Sequence, residues 1–409
     1  MKYETYIIDV IMLLFVLSTS CVKNIDCLYP IEIEGKYGYI DKNGKEIVKP
    51  KYLYASWFNE GLALIITDTT RHLAKGYYSE WTDSDTLIFK YGYINHKDRI
   101  VIDTTLTYST LTPIYKRNHS SSPFVPLSYD IEELLCYNCR IKFLNEGNWG
   151  EVGYMNNKGK VIIAPKYSGG ARFSDNLAYV WDKKESCWKY IDINGNITID
   201  TGYSFASDFS EGYAIVSKTN WDDEYKDYFV IDKKGKIQSC MIKGKNMAIV
   251  SSFKNGKVLV MEYADEKIMY KYITTKGEIL PESWYRFDFS NEGVINYYLD
   301  ALPFSEGYAA VEYEKGKWVY IDASDELPQR YGNYDCAHPF SEGLAPVMHS
   351  NKWGFVNSKF ELVIPYQYDY CTLFHNGLAG FVIEGNSTSI YGYINKSGEV
   401  IWQNELVNE

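Results

Sequence analysis

Residues 36–65 read KYGYIDKNGKEIVKPKYLYASWFNEGLALI, and this line decides the fold because the chain keeps rewriting it. It returns as EVGYMNNKGKVIIAPKYSGGARFSDNLAYV at 151–180, again from Trp188 to Val216, and as KWGFVNSKFELVIPYQYDYCTLFHNGLAGF at 352–381. Looser copies have hairpin cores at Lys90–Ile102, Tyr228–Ile237, Tyr270–Leu280 and Trp318–Leu327, and a last core, YGYINKSGEVIW, runs from Tyr391 to Trp402, making nine. Spacing is stronger than resemblance of letters. The second aromatic of the hairpin precedes a Phe by nineteen residues in Tyr39–Phe58, Tyr154–Phe173, Tyr190–Phe209 and Phe355–Phe374, and by twenty in Tyr320–Phe340. A ruler of this kind is the mark of a repeat array.

Each copy has a physical reading. Aromatic–Gly–aromatic–Ile alternates as a short strand with both rings on one face. Gly38, between Tyr37 and Tyr39, lets a neighbouring backbone or ring come close. Asp41-Lys42-Asn43-Gly44 is a type I turn with Asp first and Gly last. Glu46-Ile47-Val48 is the return strand, which Pro50 is expected to end, as are Pro165 and Pro365 in their copies. A connector with small residues such as Ala55 and Ala171 leads to the Phe. An Asn/Ser–Glu–Gly turn follows, in which Gly supplies positive φ, and Leu62–Ile65 is the next strand. Ile31–Glu34 stands where that strand would precede the first hairpin, so the chain phases into nine three-stranded units with no orphan half. One such unit cannot bury both faces, so neighbours must stack. The fold class is therefore all-β, with tandem three-stranded antiparallel repeats that are either propeller-like or an open curved β-solenoid.

The pattern [W/Y]-G-[Y/F]-I-[D/N]-x-x-G-x-x-V-I-x-P, followed by F-x-E-G-L-A, resembles the WG repeat family. The dipeptide stands literally in Trp353-Gly354, Tyr replaces Trp in Tyr37-Gly38, Tyr91-Gly92 and Tyr391-Gly392, and four copies drop the Gly, as in Trp188-Lys189-Tyr190. The resemblance covers residues 31–402 apart from insertions at 67–89 and 103–140. It implies a bacterial repeat scaffold, often exported, with no common catalytic residue to carry over. Insertions into a repeat emerge as loops on one face, often the binding face. A smaller one, Asn291–Leu302, duplicates the turn: Phe289-Ser-Asn-Glu292-Gly293, then Phe304-Ser-Glu306-Gly307.

The N-terminus, MKYETYIIDVIMLLFVLSTSC, holds an apolar run from Val10 to Leu17, too short to span a bilayer but suited to the core of an export signal. With Ser18-Thr19-Ser20 before Cys21 it resembles a bacterial lipoprotein signal: residues 1–20 removed, Cys21 lipidated, residues 21–30 a tether and 403–409 a tail. Ser18, where a bulky aliphatic is usual, and Lys2 as the sole basic residue depart from that pattern. The address so implied is the bacterial cell envelope, lipid-anchored at the outer membrane or cell surface, with a periplasmic or secreted protein as the alternative.

The 409 residues carry 42 Lys+Arg against 53 Asp+Glu, a net charge of −11. Such a balance argues against nucleic acid and against peripheral binding to anionic lipid, leaving the lipidated N-terminus as the expected membrane contact. Beyond Cys21, seven cysteines at irregular spacing form no disulfide framework. Cys136 and Cys139 are the one close pair, read as a local disulfide or two thiols rather than zinc ligands. Glu60, Glu211, Glu292, Glu306 and Glu342 recur at one turn position, as expected of residues that serve the unit's own fold. The six histidines share no ligand spacing, so neither metal nor cofactor is expected. No nucleophile, phosphate-loop or zinc-protease motif occurs.

Most of the 39 tyrosines and ten tryptophans hold repeat positions and fill thin cores. Those outside them, Tyr77, Tyr78, Trp81, Tyr297, Tyr298, Tyr331 and Tyr334, are candidate binding aromatics, suited to a protein surface or the flat face of a sugar. The resulting expectation is a non-enzymatic, envelope-tethered scaffold binding an unidentified protein or glycan. The alternatives are a glycan-acting hydrolase assembled by the insertions and a purely structural envelope lipoprotein.

Overall fold

The computed structural model describes residues 27–73, 85–110, 140–145, 151–219, 223, 225–239, 242–245, 247–264, 267–280, 300–323 and 330–407. Among them lie nine antiparallel sheets, each a simple meander of three or four strands, with no helix. Unit 1 comprises β1 (Leu28–Ile33), β2 (Lys36–Asp41) and β3 (Glu46–Tyr52); unit 2 comprises β4 (Tyr54–Ala55), β5 (Ala63–Leu73), β6 (Asp85–Ile94) and β7 (Ile100–Thr110). The remaining units follow at 140–167, 177–203, 205–245, 247–280, 300–334, 336–368 and 370–407. The strand before each hairpin belongs to that hairpin's sheet, as the phasing requires: Ala63 to Ile66 pair with Ile94 to Tyr91.

Two expectations need correction. Pro50, Pro165 and Pro365 do not end the return strands but lie inside them. The ladder is irregular there: Tyr37 pairs with Tyr52 while Tyr39 pairs with Val48. A bulge needs no ladder amide from every residue, so proline's missing N–H costs nothing. The same bulge explains the hairpin glycine. A Cβ on Gly92 would sit 2.6 Å from the Ile102 carbonyl oxygen, and one on Gly354 2.5 Å from that of Ile364. The small-residue connector is also more than a connector. In six sheets it forms a fourth strand of two or three residues, such as Tyr54–Ala55 or Cys336–Ala337.

The nineteen-residue ruler turns out to measure the step from one unit to the next. Tyr39 packs against Phe58 at 5.0 Å between ring centres, Tyr154 against Phe173 at 4.9 Å, Tyr190 against Phe209 at 4.8 Å and Phe355 against Phe374 at 4.9 Å. Each tyrosine is fully buried, so its hydroxyl must find an acceptor. Tyr39 donates to the Ser56 carbonyl at 2.8 Å, Tyr154 to Ala171 at 2.7 Å, Tyr190 to Ser207 at 2.8 Å, Tyr272 to Leu302 at 2.7 Å and Tyr320 to His338 at 2.6 Å. Burial pushes the Tyr39, Tyr190 and Tyr320 phenols well above their usual range, which keeps them protonated donors.

The last unit makes the same rung with the first. Tyr393 donates to the Pro30 carbonyl at 2.7 Å, 363 residues away, and Tyr391 donates to that of Glu32. Tyr29, Ile31, Ile40, Leu378 and Tyr393 form one buried cluster across this seam. No sheet closes on itself. The array is closed by side-chain packing between its two ends.

A second set of bonds links the Asn/Ser–Glu–Gly turns. Both central residues have positive φ, 53° at Glu211 and 86° at Gly212, 51° at Glu306 and 89° at Gly307, which makes them two-residue type I′ turns. Glutamate is a poor residue for this conformation, costing about 1 kcal/mol. Its return is the next unit's turn. Glu211 carboxylate oxygens accept the amides of Asn255 at 2.9 Å and Gly256 at 2.8 Å, and those of Glu306 accept Glu342 at 2.6 Å and Gly343 at 2.9 Å. Glu342 accepts Gly377 at 2.9 Å, and Asp175 accepts Gly212 at 2.7 Å. Of the recurring acids, Glu211, Glu306 and Glu342 are thus structural. Glu292 lies outside the described residues, and of the duplicated turn the copy at 304–307 is the one built into unit 7.

The Glu306→Ala substitution should lower the urea midpoint by an amount equivalent to about 1–2 kcal/mol, with Glu306→Gln losing less because one acceptor remains. An unchanged midpoint in the alanine variant would show that the turn ladder contributes nothing.

Candidate functional site

The inventory starts with the residues the repeat does not explain. Tyr331 and Tyr334, taken from the sequence as binding aromatics, are packing residues. Tyr334 is 7% exposed and pairs with Trp318 in the sheet. Tyr331 stacks on Phe360 with ring centres 4.6 Å apart and planes 7° from parallel. The reason lies at the contact between successive units. In five units the glycine that ends the hairpin turn rests on the return strand of the unit before it: Gly159 on Ile102, Gly195 on Ile163, Gly235 on Ile199 and Gly398 on Ile364, with Gly44 against Ile401 across the seam; in unit 2 Asp98 holds this place and accepts the Tyr52 hydroxyl. Unit 8 replaces that glycine by Phe360, at φ 64°, and unit 7 replaces the aliphatic by Tyr331. The two exceptions answer each other. A bulky residue at positive φ is strained, and the stacking of Phe360 on Tyr331, Tyr308 and Tyr320 offsets it. Tyr77, Tyr78, Trp81, Tyr297, Tyr298 and Cys21 lie outside the described residues.

The insertions at 67–89 and 103–140 were expected as loops. Their described parts instead lengthen one sheet. β5 and β6 pair from Asp68–Lys90 to Leu73–Asp85, and β7 pairs beside β6 out to Thr110 against Leu87. These strands run 11, 10 and 11 residues, against six and seven for β2 and β3. Both insertions therefore start from unit 2, whose described strands end at Leu73, Asp85 and Thr110.

Desolvated charge collects at two other places. In unit 4, Lys189 stands where other units have the hairpin glycine. Its side chain is 4% exposed, and its ammonium lies 2.8 Å from both Glu185 and Asp200 and 3.3 Å from Asp182. Those carboxylates hold it charged, pushing its pKa upward. One ammonium on the central strand of this sheet thus meets three carboxylates. On the turn ladder, Arg172 Nε faces Asp208 at 3.7 Å. Burial raises the Asp208 carboxyl although Arg172 and Lys142 oppose it, and burial lowers the nearby Lys254 ammonium.

The histidine at 338 comes from a further pair of matched exceptions. In units 2, 5, 6 and 9 a hydroxyl caps the connector: Ser56, Ser207, Ser251 and Thr372 accept the amides of Leu64, Ile215, Leu259 and Gly380 at 2.7–3.1 Å. Unit 8 has Pro346 at the amide position, so there is no N–H to accept. His338 replaces the hydroxyl, buried against Trp353 at 4.4 Å, its Nδ1 without a partner. Among the described residues, no three His, Cys, Asp or Glu side chains are placed to hold a metal ion. Cys187, Cys336 and Cys371 are free thiols, and burial pushes Cys336 up to about 12 and Cys371 also upward, which makes these two unreactive. Cys136 and Cys139 lie outside the described residues.

The class defined by these observations is a tandem β-repeat protein closed end to end. Six segments, residues 37–68, 153–180, 188–220, 297–318, 332–353 and 353–386, match the family model of the WG containing repeat, so the chain carries WG repeats. No curated protein matches the chain. Among solved structures, an uncharacterised protein of Listeria monocytogenes is 12% identical, with TM-score 0.33 over 76% of this chain and 95% of its own. TolB from Acinetobacter baumannii is 10% identical, with TM-score 0.27 over 79% and 77%, and hydrazine synthase of Kuenenia stuttgartiensis is 11% identical, with TM-score 0.30 over 68% and 94%. At these scores the likenesses say nothing of function.

Two measurements follow. In a double-mutant cycle, Phe360→Gly and Tyr331→Ile should each destabilise by about 2–4 kcal/mol, and the double variant should cost less than their sum because it restores the glycine–aliphatic contact. Simple additivity would contradict the matched pair. Burial lowers the His338 pKa from 6.5 to about 4. The unfolded chain therefore binds the extra proton first, and stability present above pH 6.5 is lost as pH falls towards 4, by about 3 kcal/mol from this group. A His338→Leu variant should lose less stability than the parent between pH 7 and pH 4; parallel curves would refute the assignment.

Proposed function

We propose that the chain is a non-catalytic scaffold, exported and lipid-anchored at Cys21 to the bacterial cell envelope, that binds a protein or glycan through the elongated sheet of unit 2. The observation that carries this reading is where the repeat is broken. Elsewhere its conserved chemistry is consumed internally: the turn acids accept neighbouring amides, and the paired rings and phenols build the joints between units. Only unit 2 carries strands lengthened to 10 and 11 residues among the described sheets, and both insertions start from it. Segments that leave a rigid repeat are where recognition is usually placed. Tyr77, Tyr78 and Trp81 fall between the ends of β5 and β6, which makes them the aromatics to test first.

Replacing residues 74–84 by a two-residue Asn-Gly turn tests this. Leu73 and Asp85 are already paired, so the thermal melt should stay within a few degrees of the parent, while binding on a glycan array or in an envelope pull-down should fall at least about tenfold. Undiminished binding would remove unit 2 from the reading. Metabolic labelling with a palmitate analogue should be lost in Cys21→Ala; labelling that persists would refute the anchor.

A further inference from the structure

Among the described residues, seven of the nine exposed large aliphatic side chains fall at one register position, Ile47 and Val363 being the other two. Ile100, Val161, Ile197, Ile237, Ile279, Leu362 and Val400 each begin the return strand two residues after the last turn residue, and they are 39–58% exposed. In unit 1 the register position is Glu46, and Ile47 beside it is 43% exposed; in unit 7 it is Arg330. Scattered surface aliphatics are ordinary, but a repeated exposed one is a ring of apolar contacts at a single end of the array. That end also carries the hairpin turns, with exposed Lys42, Lys45, Lys97, Arg99, Lys158 and Lys160 in the first units. The rim is mixed in charge, since exposed Glu46, Glu278, Glu361 and Glu399 lie at or beside the register position, and the acids of the Glu–Gly turns share this end with their oxygens accepting neighbouring amides. The aliphatics lie on the free-edge strands outside them.

The N-terminus leaves from the same end. Leu28 pairs with Asp41, the first residue of the unit 1 turn, so the chain enters β1 beside that turn. From Cys21 to Cys27 there are six residue steps, a reach of at most about 20 Å. We infer that this rim is a membrane-contact surface: the exposed aliphatics insert into the interfacial layer of the bilayer, and the flanking lysines meet its headgroups. The inference rests on the proposed Cys21 anchor for the identity of the membrane. An acyl chain held so close to the turns brings this rim, rather than the opposite one, against the lipid. Net charge opposed peripheral binding because it sums over the whole surface; the contact is set locally. A single lipid chain gives only marginal anchoring, so a second, weak apolar contact is what such a tether lacks.

The test uses the full chain carrying Cys21→Ala, equilibrated with sedimentable vesicles of phosphatidylethanolamine and phosphatidylglycerol. Against that parent, the quadruple variant Ile100→Thr, Val161→Thr, Ile197→Thr and Ile237→Thr, which keeps β-branched side chains, should bind about tenfold more weakly or worse. A second variant, with Gln at Lys42, Lys45, Lys158 and Lys160, should lose binding as phosphatidylglycerol is added but not on neutral vesicles. Equal binding by the parent and both variants overturns the proposal, as does a rim that captures envelope protein while vesicles are ignored. The anchor is read separately, by palmitate labelling of the wild-type chain in cells. Weakened variants with no label support the rim and refute the anchor; label with unaffected variants does the reverse.

Discussion

One contact carries this molecule: a buried aromatic ring of one unit against the phenylalanine of the next, about 4.9 Å between centres, with the phenol donating to a carbonyl of that same neighbour. A three-stranded sheet has two faces and little thickness. It cannot enclose a core, so each unit borrows half of its interior from the next. The ring pair supplies apolar area and edge-to-face attraction. The hydroxyl prevents sliding, because a phenol buried without its acceptor would be costly. Strand length, bulge and turn all serve to deliver that ring to its place.

The Glu–Gly ladder is the polar counterpart. Its acids resemble a catalytic or calcium set when counted along the chain, since one recurs in nearly every unit. In space Asp175, Glu211, Glu306 and Glu342 each accept backbone amides of the following turn. The price is a glutamate in a left-handed conformation, and the return is a pair of charge-assisted bonds at each step.

Departures from the repeat come in pairs. Phe360 for glycine meets Tyr331 for an aliphatic; His338 for a hydroxyl meets Pro346, which has no amide to offer it. Neither half is intelligible alone. Tyr331 and Tyr334 pack inside the array, Tyr331 against Phe360 of the next unit and Tyr334 opposite Trp318 in its own sheet, and the contact of Tyr331 is visible only from the neighbouring unit. The fourth strand was missed because two residues, as in Tyr54–Ala55, are too short to show a period. The prolines were misread because a strand-ending signal and a bulge signal are the same letter.

By itself the sequence determined the local grammar: hairpin phase, positive-φ glycines, the number of units and the distance from each to the next. These follow from contacts within about twenty residues, where spacing is a direct record of geometry. Tertiary structure alone decided that the array meets its own end, through Tyr393 and Pro30, and that the chain enters β1 beside the hairpin turn, at the end where the return strands begin. Closure is a sum of small rotations between units, and no residue encodes it. It exists only once nine copies have been stacked.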